Sequence, residues 1–182
     1  MNIKEVVNAR KIGSFELRND GSPQKIKIDY LFGLNNEILV DNSPRVYIFT
    51  VDKVIKKIGG SSQKGGIKGT MSFYVGAMAG SPGVPRFIIH LLIEAELRQK
   101  RKVELYMITS PRVNATINGF FGQKVMEISS FKEMESLCKS DYFNEENRYP
   151  DWNFQENNEP YPAREARLHL QYHQDRLARS GR

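Results

Sequence analysis

The chain has 182 residues, 40% of them hydrophobic and 26% charged, with a formal net charge of +6. That is enough chain for one domain with a real core, and the basic balance favours polyanionic partners through phosphate contacts and counterion release. One cysteine, Cys138, excludes an intrachain disulfide and a cysteine-built zinc site.

Residues 1–15 place Ile3, Val6, Val7, Arg10 and Lys11 at helical spacing and predict a small surface helix. The same segment lacks the long apolar core of a signal peptide. Two strand-like runs follow, Phe15–Arg18 and Lys25–Tyr30, joined by the turn residues Asn19–Pro23. The second run alternates charged and apolar side chains, as a strand with one wet face does. Asp41–Pro44 breaks the chain. Arg45–Val51 is β-branched and aromatic, Asp52 and Lys53 supply a polar turn, and Val54–Ile58 pairs back as the second strand of a hairpin. Gly59 and Gly60 read as the end of that strand, because glycine takes the positive φ of a strand-to-helix turn. Gly59–Gly69 then reads as a loop with two glycine pairs, and with Lys64 and Lys68 it is a candidate phosphate cradle.

Met71–Met78 predicts a helix carrying Tyr74, and Gly80–Pro85 a loop suited to contacting DNA. Arg86–Lys100 predicts a helix with a cationic end. Its first residue, Arg86, is a candidate phosphate contact, while His90 on its apolar face suits a packed, hydrogen-bonded role. The run Phe87–Ile93 is the longest apolar stretch and is far too short to span a membrane, and the lone cysteine fits a reducing cytoplasm, the location expected. Val103–Ile108 reads as a strand. Ser110–Gln123 reads as a loop whose Arg112, Asn114 and Asn118, beside Phe120 and Phe121, suit base-edge hydrogen bonding and stacking. Phe131–Leu137 predicts a helix capped by Ser130, and Glu133 either closes a capping box or serves a site. Tyr142–Pro162 is aromatic and turn-rich, with the lone Trp152 pinning it to the core. Ala163–Arg182 predicts a charged helix with few apolar positions, docked on the body edge or on a partner.

Several of these residues form an ordered series. Tyr47 lies in the first hairpin strand, Lys57-Ile58-Gly59 about ten residues on, then Lys68, then Glu133 or Glu135, then Tyr149–Asn153. From Arg45 to Asn153 this series resembles the GIY-YIG nuclease superfamily, especially its compact restriction and phage endonucleases, although only Tyr47, Ile58 and Gly59 keep the eponymous letters. The resemblance implies an α/β fold, with a small, mostly antiparallel three-stranded sheet flanked by helices. Residues 1–44 would add a helix and a β-hairpin, 45–153 would be the core, and 154–182 a C-terminal extension, all in a single nuclease domain. It implies a Mg²⁺-dependent type II restriction enzyme, a homodimer that cuts double-stranded DNA at a specific site with one divalent ion per active site.

By the same resemblance, Tyr47 activates or orients the attacking water. Lys57, in place of the family's second tyrosine, lowers the tyrosine pKa or holds water and phosphate. Glu133 ligates the metal, with Glu135 as the alternative, and Asn153 supports the site; Tyr74 and His90 are further supporting candidates read from their places in the chain. Lys68 stands where the family has an arginine, and lysine supplies charge without the planar fork that grips a phosphate bidentately. That departure leaves a second reading open: a catalytically inactive nucleic-acid-binding module with the same fold.

Overall fold

The computed structural model describes residues 1–180. A 3₁₀ turn (Ile3–Glu5) leads into β1 (Arg10–Leu17), β2 (Ile26–Tyr30), α1 (Asn36–Val40), β3 (Arg45–Val51), β4 (Val54–Ser61), α2 (Gly66–Val75) and α3 (Val84–Arg98). Then come β5 (Val103–Thr109), β6 (Val113–Gly119), β7 (Gly122–Ile128), α4 (Phe131–Glu146) and α5 (Ala163–Ser180). The last two residues of the expected C-terminal helix lie outside the described part.

Five strands form one sheet in the order β2-β1-β5-β3-β4, with every neighbouring pair antiparallel. The sheet is therefore larger than the three strands expected, because β1 pairs with β5 and draws the N-terminal hairpin into it. The N-terminal helix is corrected too. Only Ile3–Glu5 turns, Val7 is 93% exposed, and Arg10 and Lys11 already belong to β1, where Ile12 is fully buried. Pairing with a distant strand outweighs local helical spacing here.

β3 is buried at every position because both faces of the sheet are covered. Tyr47, Phe49 and Val51 face a core built with Ile67, Met71 and Tyr74 of α2 and Ile89 and Ile93 of α3. Val46 and Ile48 face the opposite side, with Met134, Cys138 and Tyr142 of α4. Alternation along the strand thus sends successive side chains into two layers. Arg45, 1% exposed, donates to the carbonyls of Asp41 and Gln63 and to Thr70, tying the chain just after α1 and just after β4 to α2.

β4 is an edge strand, and an open edge invites unwanted pairing. Residues 151–153 cover it. Trp152 donates its backbone N–H to Lys56 O, and the Asn153 side chain both accepts from Ile58 N–H (2.9 Å) and donates to Ile58 O (3.0 Å). Trp152 is 6% exposed, as expected of a residue pinning an irregular segment to the core.

The segment after β5 is a hairpin rather than a loop. β6 and β7 form a separate two-stranded sheet, with Phe120 and Phe121 fully exposed at its tip. Apolar Val113, Ala115 and Ile117 alternate with polar Asn114, Thr116 and Asn118, which is a strand's period. Among the described residues no helix is long and apolar enough to cross a membrane.

Candidate active site

The site is built around two consecutive glycines. β4 does not end at Gly59 and Gly60; it runs through them to Ser61. Their φ angles are not positive, so a turn is not why glycine stands there. Tyr47 pairs directly with Gly59 across the hairpin. A Cβ on Gly59 would lie 2.4 Å from both Cζ and Oη of Tyr47, so the phenol lies over a bare backbone. Gly60 faces the other way, and its missing Cβ leaves room for Glu135 Oε2, which would be 2.5 Å from it. The left-handed turn that does begin the next helix is made by Gly65 and Gly66, at φ 87° and 68°. The N–H of Gly65 donates to Asn42 and that of Gly66 to Gln63 O, so the expected phosphate cradle already spends two of its donors inside the protein.

Tyr47 and Tyr74 share a 2.6 Å hydrogen bond between their hydroxyls. Burial raises the pKa of both above the ordinary phenol value, and the Glu135 charge adds to the rise while Arg86 opposes it. The expectation that Lys57 lowers the Tyr47 pKa is therefore not met; both phenols are neutral at physiological pH. Lys57 itself is the perturbed base. Burial brings it down to about 8, against the pull of Glu156 and Glu135.

Glu135, Lys139 and Glu156 form an ion triad beside Lys57. Lys139 pairs with Glu135 at 2.6 Å, one turn away on α4, and also with Glu156. Burial works against the Lys139 charge, but the two carboxylates raise its pKa overall. Burial acts to raise the Glu156 pKa, but the bonds from Lys139, a backbone N–H and Asn153, with the Lys139 charge, together bring it below the ordinary value. Asn153 donates to Glu156 at 3.1 Å, so the residue that seals the edge strand also orients the triad.

Of the residues singled out from sequence, the fold brings together Tyr47, Tyr74, Lys57, Glu135 and Asn153. Arg86 comes from the first turn of α3, with its guanidinium 4.2 Å from the centre of the Phe73 ring, and its charge reaches both tyrosines. Glu133 is exposed and makes no capping box with Ser130, whose side chain caps nothing. Lys64 and Lys68 are exposed on the loop and first turn of α2. His90 is buried on α3, where its Nδ1 meets the carbonyl of Tyr74 at 2.8 Å, so it steadies α2 from behind. Burial lowers its pKa. Arg112 donates to Asn42 O and pairs with Glu127. Asn114 and Asn118 share one face of the β6–β7 ribbon, which forms a sheet separate from the one that carries Tyr47. Sequence reasoning missed Lys139 and Glu156. The only signals were their spacing, Glu135 to Lys139 at i,i+4 and Asn153 to Glu156 at i,i+3.

Among the described residues no three His, Cys, Asp or Glu side chains converge to hold an ion. The donor set that is present suits Mg²⁺ bound sparingly: a carboxylate from Glu135, a second from Glu156, and the remaining positions from water and a phosphate.

No family model and no curated protein matches the chain. Solved structures do. A mutant of bacteriophage T4 EndoII aligns over 84% of this chain and 99% of its own, at TM-score 0.55 and 20% identity. Restriction endonuclease HPY188I in complex with product DNA aligns over 82% and 84%, at TM-score 0.48 and 18% identity. The chain thus shares the fold of the phage protein.

Proposed function

We propose that this protein is a DNA endonuclease of the GIY-YIG type that hydrolyses phosphodiester bonds where Tyr47, Lys57, Tyr74 and Glu135 meet. The carrying observation is the edge strand β4, whose two glycines admit Tyr47 on one face and Glu135 on the other, with the Glu135 charge reaching Tyr47, Tyr74 and the buried Lys57 of the same strand. The fold shared with EndoII supports the class.

The chemistry follows from the side chains. Tyr47 is a neutral phenol tied to Tyr74, so it orients the attacking water by hydrogen bonding. Lys57, at about 8, has roughly a tenth of its population neutral near pH 7, and that amine takes the water's proton. Arg86 and Lys68 supply positive charge to the phosphate, with Arg86 the one electrically coupled to the tyrosines. Glu135, with Glu156, would hold Mg²⁺, which when bound supplies charge to the leaving oxygen. Lys139 occupies those carboxylates otherwise, keeping them paired.

The β6–β7 ribbon is of a size that a major groove admits. Asn114, Thr116 and Asn118 line one face for base edges, with Arg112 at its root. A near-palindromic target would be met by a two-fold dimer, which light scattering of the purified protein would detect.

Incubation with mixed duplex DNA, with Mg²⁺ or with EDTA, tests the reading. Discrete metal-dependent fragments are expected. Glu135→Gln should reduce the rate by about a hundredfold or more, while Glu133→Gln should leave it within a fewfold. Equal loss in both variants would refute the choice of Glu135. DNA affinity without cleavage would favour the inactive binding module instead.

A further inference from the structure

On the other side of α3, the two histidines of α5 converge on one carbonyl. His169 and His173 stand one turn apart, so they share a helix face. Their Nε2 atoms are 3.0 Å apart. The carbonyl oxygen of Pro82 lies 3.2 Å from the first and 3.3 Å from the second. Three donor atoms therefore form a nearly equilateral triangle.

Hydrogen bonding alone does not satisfy that triangle. A neutral imidazole carries one N–H, so each Nε2 either donates or accepts. If both donate to Pro82 O, two N–H groups press against each other at 3.0 Å. If one accepts, its lone pair faces the carbonyl lone pairs. No distribution of protons makes all three contacts attractive, whereas a cation over the triangle draws all three lone pairs at once. The edges also have the right length. Bonds of about 2.0–2.1 Å from a tetrahedral ion place its ligands about 3.3 Å apart.

We propose that His169 Nε2, His173 Nε2 and Pro82 O are a transition-metal site, with Zn²⁺ the fitting ion and water the fourth ligand. Imidazole nitrogens select zinc over Mg²⁺, so this site is chemically separate from the Glu135 carboxylate. Its surroundings are built to hold the rings. Phe87 packs edge-on against His169 at 5.2 Å between centroids, and Tyr172 donates its hydroxyl to Gly80 O at 3.1 Å. The ion would clip α5 to the Gly80–Gly83 turn that starts α3, the helix carrying Arg86. It would hold in place a terminal helix whose Leu168, Leu170 and Leu177 stay exposed. The inference does not depend on the nuclease reading.

The chain has three histidines, which makes the test direct. Zn²⁺ is titrated into the full-length protein while the imidazole resonances are followed by NMR. Stoichiometry is read in parallel by competition with a chromophoric chelator. The expected result is one Zn²⁺ per chain, with two imidazoles shifted, the buried His90 ring unchanged, and no response to millimolar Mg²⁺. His173→Gln, checked for folding by circular dichroism, should weaken binding by roughly a hundredfold or more. Glu135→Gln should not. The proposal is overturned if zinc does not bind, if the two α5 imidazoles do not respond, or if binding disappears with Glu135→Gln rather than with His173→Gln.

Discussion

Gly59→Ala tests the central claim about the site, that glycine stands there to admit the Tyr47 ring. The added methyl would sit 2.4 Å from Cζ and Oη of Tyr47 and 2.8 Å from Cε2, about 1 Å inside ordinary contact. Neither partner moves easily. Tyr47 is locked by its bond to Tyr74 and by rings on two sides, with Phe49 at 5.4 Å and Tyr74 at 5.8 Å between centroids. Overpacking of this kind costs about 1–3 kcal/mol. Against it, alanine is better than glycine in a strand by roughly 0.5–1 kcal/mol. The net expectation is destabilisation of about 1–2 kcal/mol, or a Tm lower by roughly 2–8 °C in a chain of this size. Urea unfolding followed by circular dichroism measures it. The decisive comparison is a double-mutant cycle with Tyr47→Val, which removes every atom the methyl would strike. In that background Gly59→Ala should be neutral or stabilising, leaving a coupling of about 1–3 kcal/mol. An equal cost of Gly59→Ala in both backgrounds would refute the reasoning.

Lys57→Met should stabilise the protein near pH 7 by on the order of 1–3 kcal/mol, since one pKa unit is about 1.4 kcal/mol. The sign follows from linkage. Lys57 titrates at about 8 folded against 10.5 free, so between those values the unfolded chain binds the extra proton. The wild type therefore pays its penalty below about 8 and recovers as pH rises towards 10.5, and the variant's advantage should fade over that window in urea melts at stepped pH. Asn153→Ala should cost about 2–4 kcal/mol, because it strips Ile58 of partners for both its N–H and its carbonyl in a buried edge. Hydrogen exchange should accelerate at the Ile58 amide; unchanged protection there would contradict the assignment. Lys68→Arg should raise DNA cleavage if lysine is a weakened replacement at that position, and a rate unchanged or lower in the gel assay would remove that explanation.

What the sequence made legible were the elements whose causes are local. The β3–β4 hairpin could be read because a β-branched run, a polar two-residue turn and a second run lie side by side. Asp52 and Lys53 do take positive φ there. The helix α3 could be read from its apolar period. The end of β1 from Phe15 could be read too, since it pairs with the nearby β2, but its first half could not: that part pairs with β5, with Arg10 opposite Met107, and no local window contains that pairing. Gly59 and Gly60 were visible but ambiguous, since glycine serves a positive φ and a close approach equally well. Only the ring and the carboxylate lying over them decide which. Which of the two candidate glutamates lies beside Gly60, in contrast, could have been placed from sequence by helix phase. In α4 the apolar positions Phe131, Met134, Cys138 and Tyr142 form one stripe, and it is this stripe that packs on the sheet. At 100° per residue, Glu135 lies roughly 55° from its centre and Glu133 roughly 145°. A helix docked by that stripe therefore carries Glu135 along its flank to Gly60 and turns Glu133 to solvent. The choice between the two glutamates is set by which side chains α4 buries, and spacing from the cap residue Ser130 does not determine it.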